Sequence, residues 1–338
     1  MSGRSAYPGF RATIKLVGTG PRGSRDLAAE EAREALAALL SGDTTEAQAG
    51  AFLLAMRFKG EAPDELAGFA MALRDAAGPL EADVGRPLVA CAGAYDGVAT
   101  SPHLSIAAAC AAAACGAAVV MHCGTRLGPK YGITQADVLG ELGGSVAPSA
   151  DASARMLRRS GVALVHTPSI LPGWERLARI RDEVGVRGPV HAAERLLAPF
   201  GATRFVVGYT HSAYAGRLLG ALERLGAERA VAVRGIEGSD VLRPGRPTAF
   251  GPAGALELPE MLGEAVDGSE GAAASAAATR AVLHGEENGP LRRAVSLSAA
   301  VRLYAAGVVE QPAHGIGPAE AVLADGRAAA TLDALIGA

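Results

Sequence analysis

After Arg86 the chain alternates short apolar runs with helical segments, and that alternation limits its possible folds more than any other feature. The runs Leu88 to Cys91, Ala117 to Met121, Ala163 to His166, Arg204 to Tyr209 and Arg229 to Arg234 have the length of buried strands. Helical patterns separate them, from about Leu104 to Cys115, Ala152 to Arg159 and Tyr214 to Leu225. Strands joined by such helices read as βαβ crossovers, so a central, mostly parallel sheet with helices on its faces is expected. The last third is helical again, near Ala273 to His284, Leu291 to Ala306 and Pro318 to Leu323.

Upstream of this region lie three short helices with clear punctuation. The first spans about Ala29 to Ser41, with Glu30 and Glu31 in its opening turn, where the helix dipole favours acids, and Gly42 after its end. The second opens on Thr45-x-x-Gln48, a capping box, and closes at Gly60. The third starts at Pro63, where a missing N–H costs little, and stops before Gly78-Pro79. At 338 residues the chain has room for about two domains. The expected organisation is a basic N-terminal arm (1–25), a helical domain (26–85) and an α/β domain (86–171 and 191–338). A charged helical stretch from Trp174 to Glu183 marks a segment of about 172–190 that joins the helical domain.

Composition narrows the function. With 49% apolar and only 20% charged residues, the chain is a globular protein rather than a disordered one. A net charge of −3 argues against a general polyanion binder. The charge is uneven, however: residues 1–25 carry Arg4, Arg11, Lys15, Arg22 and Arg25 and no acid, which leaves 27 bases against 35 acids elsewhere. Cys91, Cys110, Cys115 and Cys123 lack CxxC spacing, fitting neither a disulfide scaffold nor a zinc site, so a reducing cytoplasm is expected. Ile106 to Met121 is mostly alanine and shorter than the roughly 20 strongly apolar residues a bilayer requires, so no membrane association is expected. HExxH, GxSxG and Walker patterns are missing, which removes support for metalloprotease, hydrolase and P-loop readings.

Cys91-Ala-Gly-Ala-Tyr-Asp-Gly97 sits between an expected strand and an expected helix, where α/β sheets place anionic ligands; two glycines and an Asp there are more often turn chemistry than a phosphate cradle. A family resemblance bears on the choice. Glu30-Glu-Ala-Arg-Glu-Ala35, Ala51-Phe-Leu-Leu-Ala-Met-Arg-Phe-Lys-Gly-Glu61, Ala136-Asp-Val-Leu-Gly-Glu-Leu-Gly143 and Leu297-Ser-Ala-Ala-Val-Arg-Leu-Tyr-Ala-Ala-Gly307 resemble the anthranilate phosphoribosyltransferases (TrpD), a glycosyltransferase family 3 fold shared with nucleoside phosphorylases. The resemblance runs from Asp26 to nearly the end. It implies a small helical dimerisation domain, a large α/β domain and an active site in the cleft between them.

The motifs that contact ligands in that family are altered. Its Gly-Thr-Gly-Gly-Asp-Gly diphosphate loop reads Ala92-Gly-Ala-Tyr-Asp-Gly97, which keeps Asp96 and Gly97, with Gly93 nearby; Tyr95 brings a bulky side chain where backbone must approach a diphosphate. Asn-Ile-Ser-Thr reads His103-Leu-Ser-Ile106, keeping Ser105. Lys-His-Gly-Asn-Arg reads Met121-His-Cys-Gly-Thr-Arg126, with His122 and Arg126 retained and Lys130 close by. Arg187 matches the arginine facing anthranilate's carboxylate, followed by His191 in place of an Asn. The family's magnesium-binding Asp-Glu pair falls on Arg234-Gly-Ile-Glu-Gly-Ser-Asp-Val241, leaving Glu237 and Asp240 as candidate ligands.

These changes resemble the second TrpD-like group, typified by YbiB-like proteins, through Gly18-Thr-Gly-Pro-Arg-Gly-Ser-Arg-Asp26, Gly-Val-Arg-x-x-x-His at 185–191, and Gly235-Ile-Glu-Gly238. That kinship implies a homodimer with a degenerate phosphoribosyl diphosphate site, no anthranilate transferase activity, and binding of single- or double-stranded nucleic acid without sequence preference. Arg11, Lys15, Arg22, Arg25, Arg57 and Lys59 are then the candidate nucleic-acid contacts. The competing expectation is a magnesium-dependent phosphoribosyl transferase or phosphorylase acting on an aromatic or base-like acceptor. It would use Asp96, Gly97, Ser105, Arg126 and Lys130 around phosphate, Glu237 or Asp240 for magnesium, and Arg187 with His191 for the acceptor. His103, His122, His166 and His191 all border expected strand ends and are candidates to line one cleft.

Overall fold

The computed structural model of the chain describes residues 9–243, 245–260 and 271–337; Arg4 of the expected arm lies outside them. Five parallel strands form the centre: β1 (Leu88–Ala92), β2 (Ala118–Cys123), β3 (Val162–His166), β4 (Arg204–Tyr209) and β5 (Arg229–Arg234). Two short antiparallel strands, β6 (Ala249–Gly251) and β7 (Gly254–Ala255), extend one edge, giving the order β3-β2-β1-β4-β5-β6-β7. Chain order reverses at β1, which lies between β2 and β4, with Cys91 level with Met121 on one side and Val206 on the other. Strand interiors are buried on both faces, as the continuous apolar runs require.

Among the described residues four helices precede the sheet: α1 (Phe10–Gly18), α2 (Ala29–Ser41), α3 (Glu46–Lys59) and α4 (Pro63–Ala77). Eleven more follow β1: α5 (Ser105–Ala114), α6 (Gln135–Glu141), α7 (Ala150–Ser160), α8 (Thr167–Ile170), α9 (Trp174–Val184), α10 (Pro189–Ala193), α11 (Ala213–Arg224), α12 (Ala272–Leu283), α13 (Pro290–Ala306), α14 (Pro312–Ala324) and α15 (Arg327–Ile336). The alanine-rich α5 is almost wholly buried, packed against β2, α13 and α15, because alanine allows helices to approach closely. The last helical stretch begins earlier than expected, at Pro312, and carries Pro318 inside α14; α15 follows it.

The capping box of α3 forms as read, with the Gln48 amide donating to Thr45 Oγ1 at 3.2 Å and the Thr45 amide to Gln48 Oε1 at 3.1 Å. A second hydrophobic core joins α1 to α4 with α9 and α10, around Leu36, Phe52, Phe69, Trp174 and Ile180. The Phe10 and Phe69 rings both meet Phe52 edge-on, at 5.4 and 6.2 Å.

The segment read as a basic arm is therefore largely structured. Phe10, Ile14 and Val17 fall at i, i+4 and i+7 and seat α1 against α3, while Arg11 and Lys15 stay on its exposed side. Among the described residues, no helix is long and apolar enough to cross a membrane.

Candidate functional site

A cleft of about 270 Å³ opens where the helical part meets the carboxyl ends of β1, β4 and β5, the place where open α/β sheets bind ligands. Arg57 of α3, Arg187 between α9 and α10, His191 of α10 and Arg195 just beyond it form one wall. The other comes from Ala94 and Asp96 after β1, Lys130 after β2, Thr210 and His211 after β4, Tyr214 of α11, and Glu237 after β5.

Asp96 joins the two walls. Its Oδ2 accepts from Arg187 Nε at 2.7 Å and Nη2 at 2.5 Å, and its side chain is 3% exposed. Lys130 Nζ donates to the Gly97 carbonyl at 2.6 Å and lies 3.4 Å from Glu237 Oε2. Gly97 has φ +78°, and a Cβ there would sit 2.3 Å from backbone of Gly132, so no other residue fits this crossing. Gly93 is required for a related reason: a Cβ would meet Ser239 Cα at 2.7 Å.

Glu237 adopts a left-handed backbone, φ +51°, which is costly for a residue with a Cβ. Its carboxylate accepts from the Ala99 amide (3.0 Å), the Thr100 amide (2.9 Å) and Thr100 Oγ1 (3.1 Å). Burial opposes ionisation, but these amides and Lys130 prevail and hold the Glu237 pKa below the usual carboxylate range. His191 accepts from the Gly188 amide through Nδ1 at 3.2 Å, and its Nε2 lies 3.3 Å from the Gly128 carbonyl. Burial, with Arg181 nearby, drives its pKa well below the ordinary imidazole value, so it is neutral. Desolvation likewise lowers the Arg195 pKa, and Arg195 Nη1 donates to the Gly208 carbonyl at 2.6 Å.

Several sequence expectations are corrected. Tyr95 does not fill the loop: its side chain turns under it, 2% exposed, with Oη 2.5 Å from His122 Nδ1 and 2.9 Å from the Glu194 carbonyl. A carbonyl only accepts, so the hydroxyl proton belongs to Glu194 and His122 Nδ1–H donates to Tyr95. His122 is thus a neutral core residue outside the cleft, its pKa pulled down by burial to about 3. His103 and His166 are also buried outside the cleft lining, so only His191 of the four expected histidines reaches it. Arg126 turns away to Asp137, 3.2 Å distant.

Ser105 is completely buried and donates to Asp240 Oδ1. The other Asp240 oxygen accepts from Arg302 Nη2 at 2.5 Å, and both of these charged side chains are 0% exposed. The expected magnesium ligands therefore do not fit a hard divalent ion. Asp240 is enclosed and paired, Val241 is buried, and the Glu237 carboxylate already accepts from two amides and a hydroxyl, with Lys130 3.4 Å from its Oε2. Among the described residues no group of three or more His, Cys, Asp or Glu could hold a metal.

The candidate nucleic-acid residues separate into two sets. Lys59 is ion-paired with Asp26 at 2.6 Å and with the buried Glu65 at 2.7 Å, and Arg25 grips Glu31. Arg11, Lys15 and Arg22 are exposed on the helical part, whereas Arg57 lines the cleft. Sequence reading missed Arg195, Thr210, His211 and Tyr214. The position of Thr210 and His211 directly after a strand was the signal available for two of them.

Comparison with known proteins agrees with this geometry. Residues 12–77 match the helical bundle domain of the glycosyl transferase family, and residues 96–329 match its a/b domain. The chain is 34% identical to an anthranilate phosphoribosyltransferase of Thermus thermophilus over 307 residues, 88% of this chain and 92% of that one. It is also 34% identical to anthranilate phosphoribosyltransferase 2 of Streptomyces coelicolor over 322 residues, 91% and 94% of the two chains. The crystal structure of anthranilate phosphoribosyltransferase from T. thermophilus superposes with a TM-score of 0.84 at 33% identity, covering 93% of this chain and 96% of that one. The Saccharomyces cerevisiae enzyme in complex with PRPP and Mg shares the fold at 20% identity, with a TM-score of 0.79 and 97% of both chains covered. With both domains matched in order around the cleft, this chain belongs to the glycosyl transferase family that includes the anthranilate phosphoribosyltransferases.

Proposed function

We propose that the cleft takes a phosphorylated ribosyl-type donor, and that the chain does not run magnesium-dependent transfer to anthranilate. The observation that carries this reading is the convergence of Arg57, Lys130, Arg187 and Arg195 on one cleft in which, among the described residues, Asp96 and Glu237 are the only acids. Arginine forks and a lysine point charge are the side chains suited to phosphate oxygens. Because Tyr95 lies beneath the loop, its side chain stays out of the cleft and leaves Ala94 and Asp96 lining it despite the lost glycine. In transfer at the anomeric carbon, Lys130 and Arg195 would stabilise the departing diphosphate, while Arg187 and His191 faced the acceptor.

Calorimetric titration with phosphoribosyl diphosphate in excess chelator tests the reading. Saturable binding is expected, weakened at least tenfold by Lys130→Gln. Absence of binding with and without magnesium would overturn it. Nucleic-acid binding has narrower support, since Arg25 and Lys59 are already neutralised. Strongly salt-dependent binding of single-stranded DNA, abolished by joint replacement of Arg11, Lys15 and Arg22 with Ala, would favour that second reading.

A further inference from the structure

We propose that Arg302 is a permanent, protein-supplied cation that closes Asp240 against divalent metal ions. It lies in α13, an otherwise almost entirely apolar buried helix face, and reaches Asp240 across the carboxyl end of the sheet. Its Nη1 donates to the Ser298 carbonyl at 2.9 Å, Nη2 to Asp240 at 2.5 Å, and Nε has no hydrogen-bond partner. A buried guanidinium left partly unsatisfied is costly, and its charge is balanced by Asp240.

The pairing determines what Asp240 can do. A magnesium or manganese ion requires carboxylate oxygens with free lone pairs and a locally negative field. Here Ser105 takes one oxygen and the Arg302 guanidinium the other. The Ser105–Asp240–Arg302 group is therefore neutral and enclosed, and a divalent ion brought to Asp240 would face a fixed positive charge. Because Asp240 closely follows Glu237 on the loop from β5, the same pairing fixes the loop that presents Glu237 to Ala99 and Thr100. Arg302 is thus a positioning residue that denies Asp240 to a metal ion, while the buried Val241 withholds the neighbouring carboxylate.

Manganese alone is the probe, counted by the loss of its free electron paramagnetic resonance signal on addition of the full-length protein. The wild-type chain is expected to leave that signal unchanged at millimolar metal, and its melting temperature should not move. Arg302→Met alone leaves a single enclosed carboxylate, so it is combined with Val241→Glu, which sets a second carboxylate beside Asp240. The double variant is expected to melt lower and to bind one manganese per chain at least tenfold more tightly than Val241→Glu alone. Added manganese should then raise its melting temperature. Stoichiometric manganese binding by the wild-type protein overturns the proposal, as does a folded double variant that binds no better than Val241→Glu. Should that variant fail to fold, the wild-type titration decides alone. No donor or acceptor ligand enters the assay, so its outcome is independent of the proposed cleft ligand.

Discussion

Asp96 and Arg187 meet across the cleft, the carboxylate on the loop after β1 and the guanidinium on the segment between α9 and α10, with Nε 2.7 Å from Oδ2. An incoming anion must compete with Asp96 for Arg187. Asp96→Asn keeps an acceptor in place but removes the charge, so Arg187 is released at low cost. Affinity for a small aromatic carboxylate such as benzoate, which would meet Arg187 on the acceptor side, should rise about five- to tenfold, close to 1 kcal/mol, since hydrogen bonds to charged groups are the stronger kind. Calorimetry in chelator checks this, and weaker binding by the variant would show that the ligand needs the Asp96 charge.

Tyr95 is expected to matter for stability. Tyr95→Phe strips His122 Nδ1–H of its acceptor and the Glu194 carbonyl of its donor, both buried, for a loss of about 1–3 kcal/mol. Tyr95→Gly also empties a ring-sized space and should cost about 3–5 kcal/mol. Urea denaturation measures both. A gain of anthranilate transferase activity in Tyr95→Gly would contradict the structure, since the loop is not obstructed by this side chain.

The pH dependence follows from His122. Its pKa is depressed to about 3 by burial, whereas in the unfolded chain it is near 6.5. Between these values the unfolded state binds the extra proton, so this contribution is present above pH 6.5 and falls steadily on acidification. From pH 7 to 4 the change is about 3 kcal/mol. Urea midpoints across this range should show the slope, and His122→Gln should reduce it, leaving the part carried by the buried, neutral His191; an unchanged slope would mean that His122 carries none of the acid sensitivity.

Lys59 separates a structural base from a ligand-binding one. Its ammonium covers Glu65, which is fully buried and also accepts from the Leu27 amide at 2.8 Å and the Ala62 amide at 2.8 Å. Removing one partner of a buried pair leaves the other uncompensated, so Lys59→Met should destabilise by about 3 kcal/mol or more. Fluorescence anisotropy with single-stranded DNA should show no change for the folded variant, and a drop in affinity would restore Lys59 as a contact.

Elements whose signals are local were legible in sequence. Thr45 and Gln48 announce the start of α3, Pro63 opens α4, and the apolar runs of β1 to β5 need only burial on both faces. Helix α1 was hidden because Arg11, Lys15 and the neighbouring glycines suggest an arm, although Phe10, Ile14 and Val17 carry the helical period. The site was legible in position more than in detail. Arg187, His191, Lys130, Asp96 and Glu237 do converge, but sequence spacing does not show which way a side chain turns, so Tyr95, His122 and Arg126 were read into a cleft they do not face. Arg302, a charge inside a buried helical run, was visible without its partner 62 residues away.

Pairing with a second copy is expected through α3. Leu54 and Phe58, one turn apart on the same face, are 40% and 83% exposed, an apolar surface larger than a lone side chain presents. Neither side chain lines the cleft, so a charge placed there should act on association without altering the ligand site. Phe58→Glu should shift the protein to a monomer in sedimentation at micromolar concentration, with pyrophosphate affinity within twofold of wild type. A wild-type protein that sediments as a monomer under the same conditions would remove α3 as an interface and leave Phe58 as an isolated exposed ring.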